Sequence, residues 1–202
     1  MAGYALIVGR RLGLSKDALV ALEQAVFLHD IGTIHIPDRI LKKSEPLAEA
    51  EWKVMKSHVT IGYAMLSSIP GLEETAEVVL AHHERYDGKG YPHRLEGDDI
   101  PLGARICAVV DWLDTLTSDQ PYHRAVGFLH ACKQIAARRG TQFDPKVVNA
   151  FLSVPPWEWR QLQTSVVLPL EPEMVNETGR RPFRELVFSG HFDKPAPKVI
   201  AC

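Results

Sequence analysis

The stretch His82-His83-Glu84-Arg85-Tyr86-Asp87-Gly88-Lys89-Gly90-Tyr91-Pro92 decides how this chain is read. Its two adjacent imidazoles close a helical pattern over residues 72–85, and neighbours on a helix project about 100° apart. One of the pair cannot simply be solvated when both lie on the inner half of the helix. Asp87-Gly88 then makes a turn, Gly90 permits a positive φ, and Pro92 stiffens the exit. His29-Asp30 poses the same problem at the end of another pattern, and His58 and Asp111 lie at comparable helical positions. A helical bundle brings all six inward. A dinuclear metal centre explains such a grouping, because a carboxylate bridges two ions through its two oxygens whereas an imidazole nitrogen binds one. Asp30 is the expected bridge. Two ions roughly 3.5 to 4 Å apart clamp a phosphate diester for in-line attack. Nitrogen and oxygen donors suit Fe, Mn, Zn, Co or Ni over soft Cu(I).

Working outward, residues 1–153 read as helices separated by turn signals, with no sustained alternation that calls for a sheet, so the expected class is all-α. Ser15 caps a helix whose stripe of Leu19, Leu22, Val26 and Phe27 ends at His29-Asp30, where Gly32 and Pro37 stop it. Further helices are expected over 48–56, 58–66, 102–116 and 126–138, the last closed by Gly140. Asp144-Pro145 opens a short one ending near Leu152. The opening pattern over 1–12 has no capping residue in front of it. Residues 154–202 hold seven of the fourteen prolines, with apolar residues only in short clusters. They read as a Pro-rich, partly irregular extension rather than an independent domain.

With 202 residues, 46% apolar and 24% charged, the chain can bury one ordinary core. A net charge of −2 gives no basic field for a nucleic-acid backbone or an anionic membrane. No apolar run approaches membrane-spanning length, and Met1 to Gly9 is followed, not preceded, by Arg10-Arg11, unlike a signal peptide. Cys107, Cys132 and Cys202 show no CxxC spacing, which suits a reducing compartment; a cytoplasmic protein without membrane insertion is expected. Trp52, Met55, Tyr63 and Leu66 are expected to pack the core.

Residues 82–92 match the HHExxDGxGYP signature of the HD-GYP family, and His29-Asp30-Ile31-Gly32 matches its HDIG element, followed by Ile36-Pro37-Asp38. Asp111 through Asp119 resembles its DxxDALTSD stretch, in the same order and at similar spacing. The resemblance covers residues 1–152. It implies a helical bundle with divalent metal ions, iron or manganese foremost, that hydrolyses cyclic di-GMP. By position, one metal would take His29, Asp30 and Asp111, and the other Asp30, His58, His82 and His83. Asp87, Gly88, Gly90, Tyr91 and Pro92 would lie beside the substrate, and Glu84 and Asp114 would support neighbouring ligands.

Three departures accompany the match. Thr33 stands where the family has a lysine near the scissile phosphate. Gln120 and His123 replace two basic phosphate contacts, with Arg124 one position on as a substitute. A further histidine ligand of the family's first helix would fall a few residues before Met1, so a longer product is expected. The leading expectation is thus a metal-dependent phosphodiesterase acting on a cyclic dinucleotide, with Asp30 and Thr33 at the reacting phosphate. The alternatives are a catalytically weakened domain that binds metal or nucleotide and acts by protein contact, for example with a diguanylate cyclase domain, or hydrolysis of another phosphoester.

Overall fold

The computed structural model describes residues 1–119 and 124–165. These form an all-α fold of ten helices, with isolated bridges pairing Asp87 with Glu96 and Arg139 with Phe143 in place of any strand among the described residues. In chain order they are α1 (Ala2–Arg11), α2 (Lys16–Leu28), α3 (Asp38–Leu41), α4 (Glu49–Lys56), α5 (His58–Leu66), α6 (Glu73–Ala81), α7 (Leu102–Thr117), α8 (Phe128–Ala137), α9 (Pro145–Leu152) and α10 (Pro156–Ser165). A 3₁₀ turn over Ile31–His35 follows α2. None of these helices is long and apolar enough to cross a membrane.

Local chemistry sets several ends. The Ser15 hydroxyl accepts from the Ala18 N–H at 3.1 Å and starts α2. Asp144 accepts from the Lys146 N–H at 2.6 Å with Pro145 in the first turn of α9, and its other oxygen takes the Arg105 guanidinium at 2.8 Å. α1 begins at Ala2, and its N-cap residue Met1 gives no side-chain hydrogen bond. α7 supplies the middle of the bundle, touching α1, α2, α6, α8 and α9. Its Ile106, Val109, Val110 and Leu113 are buried among Val8, Leu22, Val79, Phe143 and Phe151. A satellite cluster of Ile36, Ile40 and Met55 ties the segment after the 3₁₀ turn to α4.

Two boundaries differ from expectation. The helix expected over 72–85 stops at Ala81, and His82 and His83 lie in the turn after it. The reason is a local return: the chain folds back so that a Cβ at Gly90 would stand 2.5 Å from the Glu84 Cα and 2.4 Å from the Arg85 nitrogen. Residues 84–85 therefore lie directly against the returning loop, and the Tyr91 N–H donates to the His83 carbonyl at 3.3 Å. The core also continues past residue 153. Trp159 of α10 is 4% exposed and packs its ring against Tyr4, Phe151 and Phe128, while Glu158 forms a two-point ion pair with Arg11 at 3.0 and 2.8 Å. Pro156 tolerates the first turn of a helix, so the Pro-rich extension opens with a helix that packs on the core. The rest of the 154–202 extension beyond Ser165 lies outside the described residues.

Candidate metal centre

Three histidines reach one place from three helix ends, each oriented in the same way. His29 follows α2, His58 begins α5 and His82 follows α6, and each Nδ1 lies against the carbonyl three residues earlier: Val26 at 2.9 Å, Met55 at 2.8 Å and Val79 at 2.7 Å. A carbonyl only accepts, so Nδ1 carries the proton and the Nε2 lone pair points inward. His58 Nε2 and His82 Nε2 are buried and have no hydrogen-bond partner among the described residues. Ligand atoms of His58, His82 and His83 lie within 4.8 Å of one another. Asp30 stands between two groups: its Oδ2 is 3.4 Å from His29 Nε2, and its Oδ1 is 3.6 Å from His58 Nε2. Asp111 Oδ1, from α7, lies 3.7 Å from His29 Nε2. The structure thus brings together all six residues singled out as ligands.

Gly32 makes that convergence sterically feasible. A Cβ there would stand 2.0 Å from the His58 carbonyl oxygen and 2.7 Å from the Gly62 nitrogen, so only glycine lets the 3₁₀ turn lie directly on the start of α5. Its expected role as a helix stop is secondary to this approach.

The two sides of the cluster differ electrically. Burial pushes His82 down to about 3, helped by His29 and His58, and burial likewise holds His83 well below its ordinary value. These imidazoles are neutral at pH 7. At His29, burial opposes the charged form but the carboxylates of Asp30 and Asp111 outweigh it and raise the pKa. Burial raises Asp111 to about 6, with His29 pulling the other way. Orphaned imidazole nitrogens facing carboxylate oxygens are the donor set of a divalent transition-metal site, and the residues present fit one.

The loop over 86–92 closes one wall. Tyr91 stacks on His83 with ring centroids 4.9 Å apart at 26°. The positive φ lies at Gly88 (70°), not at Gly90, whose need is space against residues 84–85. Asp87, expected beside the substrate, binds Arg85 through both oxygens at 2.9 and 2.8 Å and accepts from the Lys89 N–H at 3.2 Å. It holds the loop together. Glu84 accepts from the His93 N–H at 2.7 Å and so anchors the loop's exit rather than an imidazole. The Thr33 hydroxyl donates to the Asp30 carbonyl at 2.7 Å. Asp114, three residues past Asp111 on α7, adds a charge felt by His29 and Asp111. Arg124 is exposed, and Gln120 and His123 lie outside the described residues.

Sequence reasoning missed a cleft of about 660 Å³ running from His83 and Tyr91 to Trp52 and Lys56. Trp52 is half-buried along this cleft, whereas Met55 and Leu66 are buried as expected. The signal was present: Trp52 and Lys56 share one face of α4 at i, i+4, and Lys56 lies two residues before His58.

Comparison with known proteins identifies the family and the fold. Residues 1–147 match the HD domain family. The chain is 46% identical over 154 residues to the cyclic di-GMP phosphodiesterase response regulator RpfG of Xanthomonas campestris, covering 75% of this chain and 41% of that protein. It is 40% identical over 149 residues to a cyclic di-GMP phosphodiesterase of Thermotoga maritima, covering 73% and 40%. The chain therefore spans about two fifths of the length of these relatives. A crystal structure of a cyclic GMP-AMP specific phosphodiesterase of V. cholerae superposes with a TM-score of 0.63 at 22% identity, over 83% of this chain and 47% of that one, and shares the fold. The chain belongs to the HD domain family and bears the Gly-Tyr-Pro signature of its HD-GYP branch.

Proposed function

We propose that this chain is a cytoplasmic, metal-dependent phosphodiesterase that hydrolyses a cyclic dinucleotide, cyclic di-GMP foremost. The observation that carries the reading is the position of Asp30, whose two oxygens face two different imidazoles. One ion would be held by His29, Asp30 and Asp111, and a second by Asp30, His58, His82 and His83. Iron or manganese suits this nitrogen and oxygen set, as do zinc, cobalt and nickel. Bound there, the ions supply Lewis acidity toward the oxygens of a phosphate diester.

The protein's own part is orientation and exclusion of water. The Nδ1–H bonds of His29, His58 and His82 fix ring and tautomer, so the lone pairs converge without reorganisation. Burial keeps His82 and His83 neutral and thus available as donors. Tyr91 stacked on His83 closes the side next to the cleft. Thr33, tied to the Asp30 carbonyl, steadies the backbone of the bridging residue and brings no cation to the phosphate. That last observation favours a second reading: a weakly active domain that acts through contact with a partner such as a diguanylate cyclase domain.

The test is turnover of cyclic di-GMP, 3′3′-cGAMP, cyclic di-AMP and bis(p-nitrophenyl) phosphate by manganese- and iron-loaded protein. Preferential cleavage of a guanine-containing cyclic dinucleotide supports the proposal. Metal loading without turnover of any ester supports the second reading instead.

A further inference from the structure

The cleft beside the metal centre has no role in holding the proposed ions, yet His83 and Tyr91 line it and join the two spaces. Resting on the reading above, we infer that this cleft holds the half of the cyclic dinucleotide that is not being cleaved, with Lys56 binding its phosphate and Trp52 flanking its base.

Charge is the first support. Lys56, Arg85 and Lys89 all line the cleft, but Arg85 is engaged by both oxygens of Asp87, and Lys89 Nζ lies 4.0 Å from the same carboxylate. Lys56 makes no ion pair among the described residues. Its ammonium is held between aromatic rings, 4.9 Å from the centroid of Tyr91 and 5.7 Å from that of Trp52. The rings position the cation and leave its charge for an anion. Glu49, also on the wall, is paired with Lys53 at 3.5 Å and is solvated.

Continuity and size are the second. Tyr91 stacks on His83 and also lies 4.9 Å from the Lys56 ammonium, and all three line one cleft, so a ligand at the imidazoles has that charge within reach. A volume of about 660 Å³ lies within the usual range for small-molecule sites, about 300 to 1,000 Å³. A cyclic dinucleotide has two phosphodiesters. With one at the imidazole cluster, the second needs its own cation, and its base needs a π-face such as the Trp52 indole, which stacks any base. A simple diester needs neither.

The experiment compares the full metal-loaded chain with Lys56→Gln, Lys56→Arg and Trp52→Ala. Turnover of cyclic di-GMP and of bis(p-nitrophenyl) phosphate is measured, together with calorimetric binding of a phosphorothioate analogue of cyclic di-GMP. Lys56→Gln and Trp52→Ala should raise KM for cyclic di-GMP and weaken analogue binding by about tenfold or more. Hydrolysis of the simple diester should stay unchanged, and Lys56→Arg should retain most binding. Equal losses on both esters would overturn the inference by placing Lys56 at the scissile phosphate, and unchanged cyclic di-GMP kinetics would overturn it outright. If the parent cleaves neither ester but binds the analogue through Lys56, the hydrolytic reading falls and the subsite stands. If it binds no analogue, the subsite falls.

Discussion

Gly32→Ala tests how the fold assembles the metal centre. The Gly32 backbone does not have a positive φ, so alanine meets no conformational penalty there and the effect is one of space. The added methyl would stand 2.0 Å from the His58 oxygen, 2.9 Å from the His58 carbonyl carbon and 2.7 Å from the Gly62 nitrogen. All three are backbone atoms, and no side chain can rotate away to make room. Ordinary contact begins near 3.4 Å, so α5 and the 3₁₀ turn must separate by more than 1 Å. Overpacking costs about 1 to 3 kcal/mol where side chains can adjust. Two rigid backbones put this site at the upper end, about 3 kcal/mol, which for a domain of this size lowers Tm by roughly 6 to 12 °C. The separation also widens the 3.6 Å gap between Asp30 Oδ1 and His58 Nε2, so metal retention should fall with stability. Thermal melts by circular dichroism and metal content after dialysis measure the two effects. Gly127→Ala, at the N-cap of α8 with φ −63° and no described atom within 4 Å of its Cβ position, is the clash-free control: the poorer cap should cost about 1 kcal/mol or less and leave metal content unchanged. A Gly32→Ala protein with the parent's Tm and metal content would refute the argument.

Metal-free protein should lose stability as pH falls from 7 to 5. His82 and His83 have folded pKa values below 6.5, so the unfolded chain binds protons first; their stabilisation is present above about 6.5 and is lost on acidification. His29, raised above its ordinary value, and Asp111, raised to about 6, take their protons first in the folded state and make the decline shallower. His83→Gln should flatten the Tm profile, and an unchanged profile would count against a neutral buried His83. Asp87→Ala should open the 86–92 loop locally, because charged hydrogen bonds are worth about 1.5 to 3 kcal/mol. Amide exchange at Gly88 and Tyr91 should quicken by about tenfold or more while α7 stays protected; equal protection in both proteins would contradict the loop's dependence on Asp87.

The legible parts of this molecule are those whose cause lies nearby in sequence. Ser15 and Asp144 act on amides two or three residues away, and the apolar stripe of α2 repeats within the helix, so caps and helices could be read directly. The six residues of the centre were legible as residue types, since adjacent His-Asp and His-His pairs have few uses on a helix. What could not be read depends on contacts that helical periodicity does not report. Gly32 is set by residues 58 and 62, far along the chain, while Gly90 and the early end of α6 are set by the loop returning onto residues 84 and 85. Trp159 is buried by Tyr4 and Phe151, which no local window relates to it. The sequence places Trp52 in the core alongside Met55, and only the position of Tyr91 shows that Trp52 and Lys56 border a cleft.

The most direct test of the account is the metal content of purified, dialysed protein by plasma mass spectrometry, comparing the parent with Asp30→Ala and His29→Ala. Asp30 lies between two groups of donors, 3.4 Å from His29 and 3.6 Å from His58. The account predicts that Asp30→Ala strips metal from both positions, whereas His29→Ala empties one and leaves the ion held by His58, His82 and His83. An Asp30→Ala protein retaining as much metal as the parent would contradict the claim that this carboxylate joins the two halves of one centre.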